Sequence, residues 1–477
     1  MSFTKKRKKF ITLKKKERNH KVMAIIHIFR RDYRLEDNTA LNYALEKDTV
    51  LPLFIFDERQ QKKQNKYFGE FSFHFLVKSL QELDKELQEK GSKLHVFQGK
   101  VTDILKKLIE EHDIKEVVFN KDYTPFSRKR DQEIEELCTE LNVKCSSFED
   151  MLLHPIETIK NGSDEPYKVF TPFYKKGLTH PIPLPKTVKG SFTSIPTTLT
   201  IEDIEYNKDL SLAITPGRKA GKSILAGIGK YASYKDERDS PAKNATTHLA
   251  AHHKFGTVSI RESAQAIKEH LGEEHPLLRQ LYWREFYYNI SHHFPHVFGK
   301  SFNEDFTDVT WEENEEAWKK WCEGRTGFPI VDAGMRELVA TGNMHNRVRM
   351  ITASFLTKDL HIDWRKGERF FAQYLIDYDP AQNNGNWQWT ASTGADGAPY
   401  FRIFNPWRQQ ERFDPDCEYI KKWIPELRDL DPRHIHNLEK ERPLSLVDSK
   451  YPQPMLDHRE ESQKALAYYK VAKENKR

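Results

Sequence analysis

Cysteine is scarce in this chain of 477 residues, which contains only Cys138, Cys145, Cys322 and Cys417. No two of them form a CxxC pair, so the sequence predicts neither a zinc ribbon nor a disulfide framework. The chain also lacks any apolar run near the about 20 residues that a transmembrane helix needs. We therefore expect an intracellular protein, cytoplasmic or nuclear, that has no membrane partner.

The glycine-rich loops that bind nucleotide phosphates are missing too. The turn after the first predicted strand, RRDYRLEDN, contains no glycine, so the dinucleotide fingerprint is absent. PGRKAGKS, which ends at Ser223, looks like a phosphate-binding loop, but Pro216 stands where that loop needs its first glycine. Because proline offers no N–H and cannot take a positive φ, we do not expect ATP to bind there.

Charge is only slightly unbalanced in the whole chain. The formal net charge is +6 and the pI about 8.7, which permits nucleic-acid binding without requiring it. The runs KKRKK at residues 5–9 and KKKER at residues 14–18 predict a disordered basic tail over residues 1–23. That tail is either a nuclear signal or DNA-binding arm, or a solvated segment without an address.

After the tail, the pattern predicts a doubly wound α/β domain over residues 24–150, and the length of the chain allows a second domain. Leucines at helical spacing predict a helix over residues 71–91, and another amphipathic helix is predicted over residues 128–141. Short apolar runs predict buried strands at residues 24–29, 50–56, 93–99 and 116–120.

The remainder divides into an irregular and a helical part. Residues 151–225 contain eight prolines and predict a connector between domains. Residues 226–470 are rich in aromatic residues at helical spacing, which predicts an all-α second domain. His248, His252 and His253 include an i, i+4 pair but lack the glutamate of an HExxH motif, so no zinc site is predicted there.

Residues 375–406 concentrate polar side chains that a packed core avoids. Asp377 and Asp379 can anchor polar parts of a ligand, and Asn383 both donates and accepts, which suits a heterocycle whose protonation changes with redox state. Trp387 and Trp389 offer flat faces for stacking or for carrying one electron. From composition alone, a loop-rich helix corner with core tryptophans is an equally good interpretation.

Residues 383–406, NNGNWQWTASTGADGAPYFRIFNP, resemble the flavin-binding core of the photolyase/cryptochrome family, and specifically its class I cyclobutane pyrimidine dimer photolyases. The similarity continues in LYWREFYYNI (281–290), TGFPIVDAGMREL (326–338) and MHNRVRMITASFLTKDLHIDWRKGERFF (344–371). The resemblance implies an α/β antenna-type domain followed by a helical FAD-binding catalytic domain. It also implies light-driven repair of cyclobutane pyrimidine dimers, by electron transfer from excited reduced FAD to a flipped-out dimer.

The same resemblance supplies the residue roles. It implies that Arg284 pairs with the pyrophosphate of FAD, that Arg349 and Asp377 lie beside the isoalloxazine, and that Asn383 lies near its N5. It implies an electron route from Trp387 through Trp364 to Trp311 at the surface. The implied flavin contacts are Tyr234, Thr246, Thr247, His248, Leu249, Ala250, Gln280, Arg284, Arg349, Asp377, Tyr378, Asp379 and Asn383.

The implied partner is UV-damaged DNA, bound by a protein that we expect to be a monomer. The implied DNA and lesion contacts are Arg238, Gln280, Trp283, Asn346, Arg347, Met350, Trp389, Arg402 and Gln409. The segment TTHLA (246–250) departs from the family's TSRLS at His248 and Ala250, and the second change removes a hydroxyl contact.

Substrate and antenna rest on further departures from the family pattern. Gln280 stands where dimer-specific members usually have glutamate, and a glutamine at this position resembles the (6-4) photolyases. Those enzymes, however, carry a histidine pair where this chain has Asn346 and Met350. We therefore predict the cyclobutane dimer, with a (6-4) photolyase or a cryptochrome without repair activity as alternatives. Thr124, Phe298 and Gly299 disfavour a folate antenna, which leaves a deazaflavin, a second flavin or an empty site.

Overall fold

A computed structural model of the chain describes residues 21–441, 443 and 451–476. The basic runs at residues 5–9 and 14–18 lie outside the described residues, and so does the predicted role of the tail. None of the helices in the described ranges is both long enough and apolar enough to cross a membrane.

The first domain contains the predicted parallel sheet, with helices packed against it. The strand order is β3-β2-β1-β4-β5, and each neighbouring pair is parallel. The strands are β1 (Met23–Phe29), β2 (Val50–Phe56), β3 (His95–Gln98), β4 (Asp113–Asn120) and β5 (Lys144–Phe148). The helices of this domain are α1 (Thr39–Lys47), α2 (Glu70–Glu89), α3 (Val101–Glu111) and α4 (Pro125–Glu140).

The central strands form because they are almost wholly apolar. All seven residues of β2 are buried, and in α2 the side chains of Leu80, Leu83 and Leu87 face the core. The edge strand β5 is only partly buried. Its sequence, KCSSF, contains no apolar run from which the strand could be predicted. The four predicted strands and both predicted helices of this domain are confirmed, with ends that differ by at most three residues.

The proline-rich connector has little regular structure beyond α5 (Phe170–Gly177) and α6 (Arg218–Ala226). It runs beside the sheet, where the Val50 amide donates to the Ser191 carbonyl and the Thr193 amide donates to the Val50 carbonyl, both over 2.9 Å. The segment therefore adds backbone pairing to β2 without forming a strand of its own.

The second domain is helical, as predicted, and its core is built around Trp321, Trp364 and Trp387. A π-helical turn, Phe355–Asp359, follows its seventh helix. The helices are α7 (Tyr234–Glu237), α8 (Leu249–Phe255), α9 (Ile260–Leu271), α10 (Pro276–His293), α11 (Glu315–Cys322), α12 (Pro329–Thr341), α13 (Asn346–Ser354), α14 (Trp364–Tyr374), α15 (Pro380–Thr390), α16 (Pro406–Phe413), α17 (Glu418–Trp423), α18 (Pro432–His436) and α19 (His458–Glu474).

The two domains share part of one core. Phe255 from α8 stacks on Phe75 of α2, with ring centroids 5.0 Å apart, and on Tyr33 of the first domain at 6.1 Å. Ile376, which precedes α15, is buried in the same cluster. This shared core brings the loop that follows β1 close to the start of α15.

Candidate functional site

Helix α15 begins at a buried carboxylate that ties the two domains together. Asp379 Oδ1 accepts a hydrogen bond from the Gln382 amide at 3.1 Å, which caps the helix. Its Oδ2 accepts hydrogen bonds from the Tyr288 hydroxyl on α10 and from Arg31, which follows β1. Although burial opposes it, the charge of Arg31 helps to hold the pKa of Asp379 well below its usual range. Asp379 is therefore a buried anion.

A second acidic group lies just before this helix. Arg349 on α13 donates from Nη2 to Asp377 Oδ2 over 3.1 Å, and its Nε donates to the Met344 carbonyl over 2.8 Å. Asp377 Oδ1 and Arg284 Nε are buried without a hydrogen-bond partner in the described part of the chain. Buried polar atoms without partners cost free energy, so these two fit the polar parts of a bound FAD.

The predicted phosphate-binding segment approaches this acidic group at the start of α8. Thr247 Oγ1 accepts from the Leu249 amide at 3.3 Å, and His248 has a left-handed backbone with φ of 54°. Burial lowers the pKa of His248, while Asp377 opposes that shift across the gap between them. Thr246 and Ala250 flank the same turn, and Ala250 is exposed.

Asn383 lies one turn into α15 and meets a carboxyl group that sequence reasoning missed. Its Nδ2 donates to the Glu368 carbonyl over 2.9 Å and to Glu368 Oε1 over 3.1 Å. Burial raises the pKa of Glu368 to about 7, against hydrogen bonds from Asn383 and Tyr67. The side-chain orientation of Asn383 therefore depends on a residue 15 positions earlier, and no local motif signals the pairing.

Two predicted flavin residues, Tyr378 and Tyr234, each have a partner within the protein, one an aromatic ring and the other a guanidinium. Tyr378 stacks on Tyr67 from the first domain, with centroids 6.2 Å apart and planes 4° from parallel. Tyr234 on α7 lies near Arg238, whose guanidinium is 5.8 Å from its ring centre. Gln280 on α10 makes one long hydrogen bond, 3.5 Å, to the Pro276 carbonyl.

The other end of α15 faces an open cavity of about 270 Å³. Five of the predicted DNA and lesion residues line it: Arg347, Met350, Trp389, Arg402 and Gln409. Its remaining lining residues, which sequence reasoning missed, are Asp239, Phe404, Arg412 and Phe413. The cavity thus combines an aromatic and thioether surface with three arginines.

The other predicted lesion residues lie outside this lining. Trp283 stacks on Phe170 of α5, with centroids 3.6 Å apart and planes 6° from parallel. Asn346 is exposed at the start of α13, and its Nδ2 is 3.8 Å from the sulfur of Met350. Arg238 immediately precedes Asp239 in the chain, so it lies beside the cavity wall.

The tryptophans predicted to carry electrons are all in the helical core or at its edge. Trp387 and Trp364 are 2 % and 1 % exposed, and Trp311 is partly buried with its ring edge-on to Tyr469 at 6.4 Å. Trp387 also contacts the ring of Trp321 at 6.4 Å, and Trp321 stacks on Trp318 at 5.4 Å.

Trp318 and Trp321, the two tryptophans on α11, were not predicted to take part in electron transfer. Trp321 is fully buried, whereas Trp318 reaches partial exposure. Their i, i+3 spacing is a sequence signal that the two share a helix face, but only the fold shows that this face meets Trp387.

Comparison with known proteins shows which family the chain resembles. The description "FAD binding domain of DNA photolyase" matches residues 277–471, and "DNA photolyase" matches residues 25–188. The deoxyribodipyrimidine photo-lyase of Agrobacterium fabrum is 36 % identical to the chain, over 95 % of the chain and 99 % of that relative.

Two solved structures share the fold at comparable identity. An archaeal photolyase from Sulfolobus tokodaii with two FAD molecules is 41 % identical, with a TM-score of 0.84, over 94 % of this chain and 100 % of that one. A class III photolyase from Agrobacterium tumefaciens is 34 % identical, with a TM-score of 0.88, over 95 % of this chain and 98 % of that one.

Proposed function

Because the chain belongs to the DNA photolyase family, we propose that it is a light-dependent lyase that repairs cyclobutane pyrimidine dimers in DNA. The observation that carries this proposal is the two-ended arrangement of α15. At one end Asp379 caps the helix and Asn383 lies one turn in, where we infer that the cofactor binds, and near the other end Trp389 lines a cavity with three arginines. Membership of class I within the family stays a prediction.

Bound in its reduced form, FAD would supply the light-driven one-electron chemistry of dimer splitting. The chain's own task is to hold the cofactor dry and oriented. Asp377 Oδ1 and Arg284 Nε have unused hydrogen-bonding capacity for it, and Asn383 is fixed by Glu368. The turn at residues 246–250 offers hydroxyl and amide groups for its phosphates.

The cavity at the far end of α15 fits one extruded dimer and its flanking phosphates. Trp389 and Met350 supply apolar surface for the unstacked bases, and Arg402 and Arg412 are exposed cations beside it. Phosphate contacts by such arginines hold DNA in register without reading its sequence. Extrusion costs least at a damaged, poorly stacked site, because less stacking and pairing energy is lost there when the base leaves the duplex.

We propose two routes by which electrons reach the flavin site from the protein surface. The route implied by family resemblance runs from Trp387 through Trp364 to Trp311. The ring contacts of Trp387 with Trp321, and of Trp321 with Trp318, support a second route that ends at a partly exposed ring on α11.

We propose a second flavin as the antenna of the α/β domain. The chain's residues at Thr124, Phe298 and Gly299 disfavour folate, and the Sulfolobus tokodaii relative is described with two FAD molecules. In an open parallel sheet, ligands bind beyond the carboxyl ends of the strands where the strand order reverses, here β1 and β4. Two flavins released per denatured chain is the expected stoichiometry, and one would remove the proposal.

The proposed activity is tested with oligonucleotides that carry a single lesion. Under blue light, the reduced protein is expected to restore a cyclobutane dimer to two thymines and to leave a matched (6-4) lesion unchanged. Dark samples, and light without protein, provide the baseline.

Two other results would replace the proposal. Repair of the (6-4) lesion alone would mean that Gln280 outweighs Asn346 and Met350 in setting the substrate. Flavin photoreduction without repair of either lesion would indicate a cryptochrome.

A further inference from the structure

Three side chains that the proposed function does not use converge where the connector meets the end of α10. They are Glu157, His292 and His293, and one ligating atom from each lies within 4.8 Å of the other two. Glu157 Oε1 is 3.2 Å from His292 Nε2 and 4.0 Å from His293 Nε2. We propose that these three residues form a binding site for a Zn²⁺ ion.

The distances fit a tetrahedral ion. With metal–ligand bonds of about 2.0–2.1 Å, the ligands of a tetrahedral zinc lie about 3.3 Å apart. The 3.2 Å between Glu157 and His292 already matches this spacing. The other separations, all within 4.8 Å, need to close by at most about 1.5 Å. His293 Nε2 is buried and has no hydrogen-bond partner in the described part of the chain. A nitrogen left without a partner in this position has its lone pair or proton uncompensated, and a metal ion would satisfy it.

The neighbouring charges both support and oppose a cation at this place. Lys160 Nζ lies 3.0 Å from Glu157 Oε2, so it occupies one carboxylate oxygen and leaves Oε1 toward the histidines. The two histidines are in the last turn of α10, where the helix dipole presents partial negative charge. Lys160 and the exposed Arg128 are the opposing cations, which argues against a weakly held ion such as Ca²⁺ and for one that imidazole nitrogen binds strongly.

The ligands are held in place by packing that does not depend on a metal. Ile156, next to Glu157, is buried in a small cluster with Tyr123 and Tyr288, and Tyr288 lies one turn before His292 on α10. The Thr158 amide donates to the Pro155 carbonyl over 2.9 Å, which closes the turn that presents Glu157. The bound ion would therefore clamp the connector to the helix that carries Arg284.

The test uses the full-length, tag-free flavoprotein and Zn²⁺ alone as the probe. Isothermal titration is expected to show one Zn²⁺ per chain, with affinity at least about 10–100-fold lower in His293→Ala and in Glu157→Gln. His270→Ala, which removes an exposed histidine of α9, is the matched control and should bind as the wild type does. An unchanged flavin spectrum in each variant checks that it has folded.

A second readout separates this site from adventitious thiol or surface binding. Zn²⁺ should raise the melting temperature of the wild-type protein and of the His270 variant, but not that of the His293 variant, and a chelator should reverse the rise. Equal affinity in the wild type and both ligand variants, or no binding at millimolar Zn²⁺, would overturn the proposal. Dimer repair plays no part in either readout, so failure here leaves the proposed enzyme activity untouched.

Discussion

The two ends of helix α15 differ in whether the charges near them are compensated within the protein. At its start, Asp379 receives hydrogen bonds from Gln382, Tyr288 and Arg31, so its charge is answered inside the protein. Near its other end, Trp389 faces a cavity where Arg402 has no ion pair with another residue of the described ranges. At the first end the charge is compensated without DNA. At the second end the unpaired arginine side chains would be compensated only when a polyanion binds.

The largest expected effect comes from breaking the completed end. Asp379→Asn removes one of the two carboxylates that pair with Arg31, the other being Asp122, and so weakens the contact between the domains. Loss of one partner of a buried pair costs about 3–5 kcal/mol. We expect that loss in the free energy of unfolding by urea titration, together with loss of bound FAD. Asp431→Asn, at an exposed pair with Arg433, is the control and should leave the urea midpoint unchanged.

Glu368 tests the same end by pH. Burial raises its pKa from 4.5 to about 7, so the folded protein keeps a proton that the unfolded chain releases. Stability should therefore fall as pH rises from about 5 to 7 and level off above, by roughly 2–3 kcal/mol. In Glu368→Gln this fall should be smaller by that amount in urea titrations at pH 5 and pH 8 with saturating FAD. An identical pH dependence in both proteins would show that this carboxyl is ionised in the fold.

The open end should respond in DNA binding and not in stability. Arg402→Ala is expected to weaken binding of dimer-containing DNA by about tenfold and to lower the slope of log affinity against log salt by about 1. The urea midpoint should stay that of the wild type. Arg433→Ala removes an exposed arginine outside the cavity and serves as control; the same loss of affinity there would mean that charge alone, and not the cavity, determines binding.

The smallest expected effect concerns the aromatic side chains between the two ends. If both proposed electron routes operate, Trp364→Phe and Trp321→Phe should each slow flavin photoreduction only in part, and the double variant should stop it. The measurement is the bleaching of oxidised-flavin absorbance under blue light with an excess of thiol reductant. Full loss in Trp364→Phe alone would leave the α11 branch without a role.

Sequence reasoning succeeded where one short segment determines the structure. β1 and β2 are short, mainly apolar runs, and both strands are confirmed. Asn383, Trp387 and Trp389 lie in one motif, and their roles stay predictions. It failed for β5, whose sequence KCSSF carries too few apolar residues to signal a strand.

Pairings between distant segments were also out of reach. Arg31 meets Asp379 across 348 positions of the chain, and nothing near either residue indicates the other. Glu368, Arg412 and Trp321 were missed for the same reason, since each meets the candidate site only through the packing of separate helices.

The bond between Arg31 and Asp379 also limits how this protein can be divided. The arginine belongs to the sheet domain, and the carboxylate opens the helix that presents Asn383 and Trp389. A helical half expressed separately would contain Asp379 as a buried anion without Arg31 as its partner. Tyr378 would also lose Tyr67, the ring on which it stacks. We therefore expect each half to be less stable when expressed alone than it is within the whole chain.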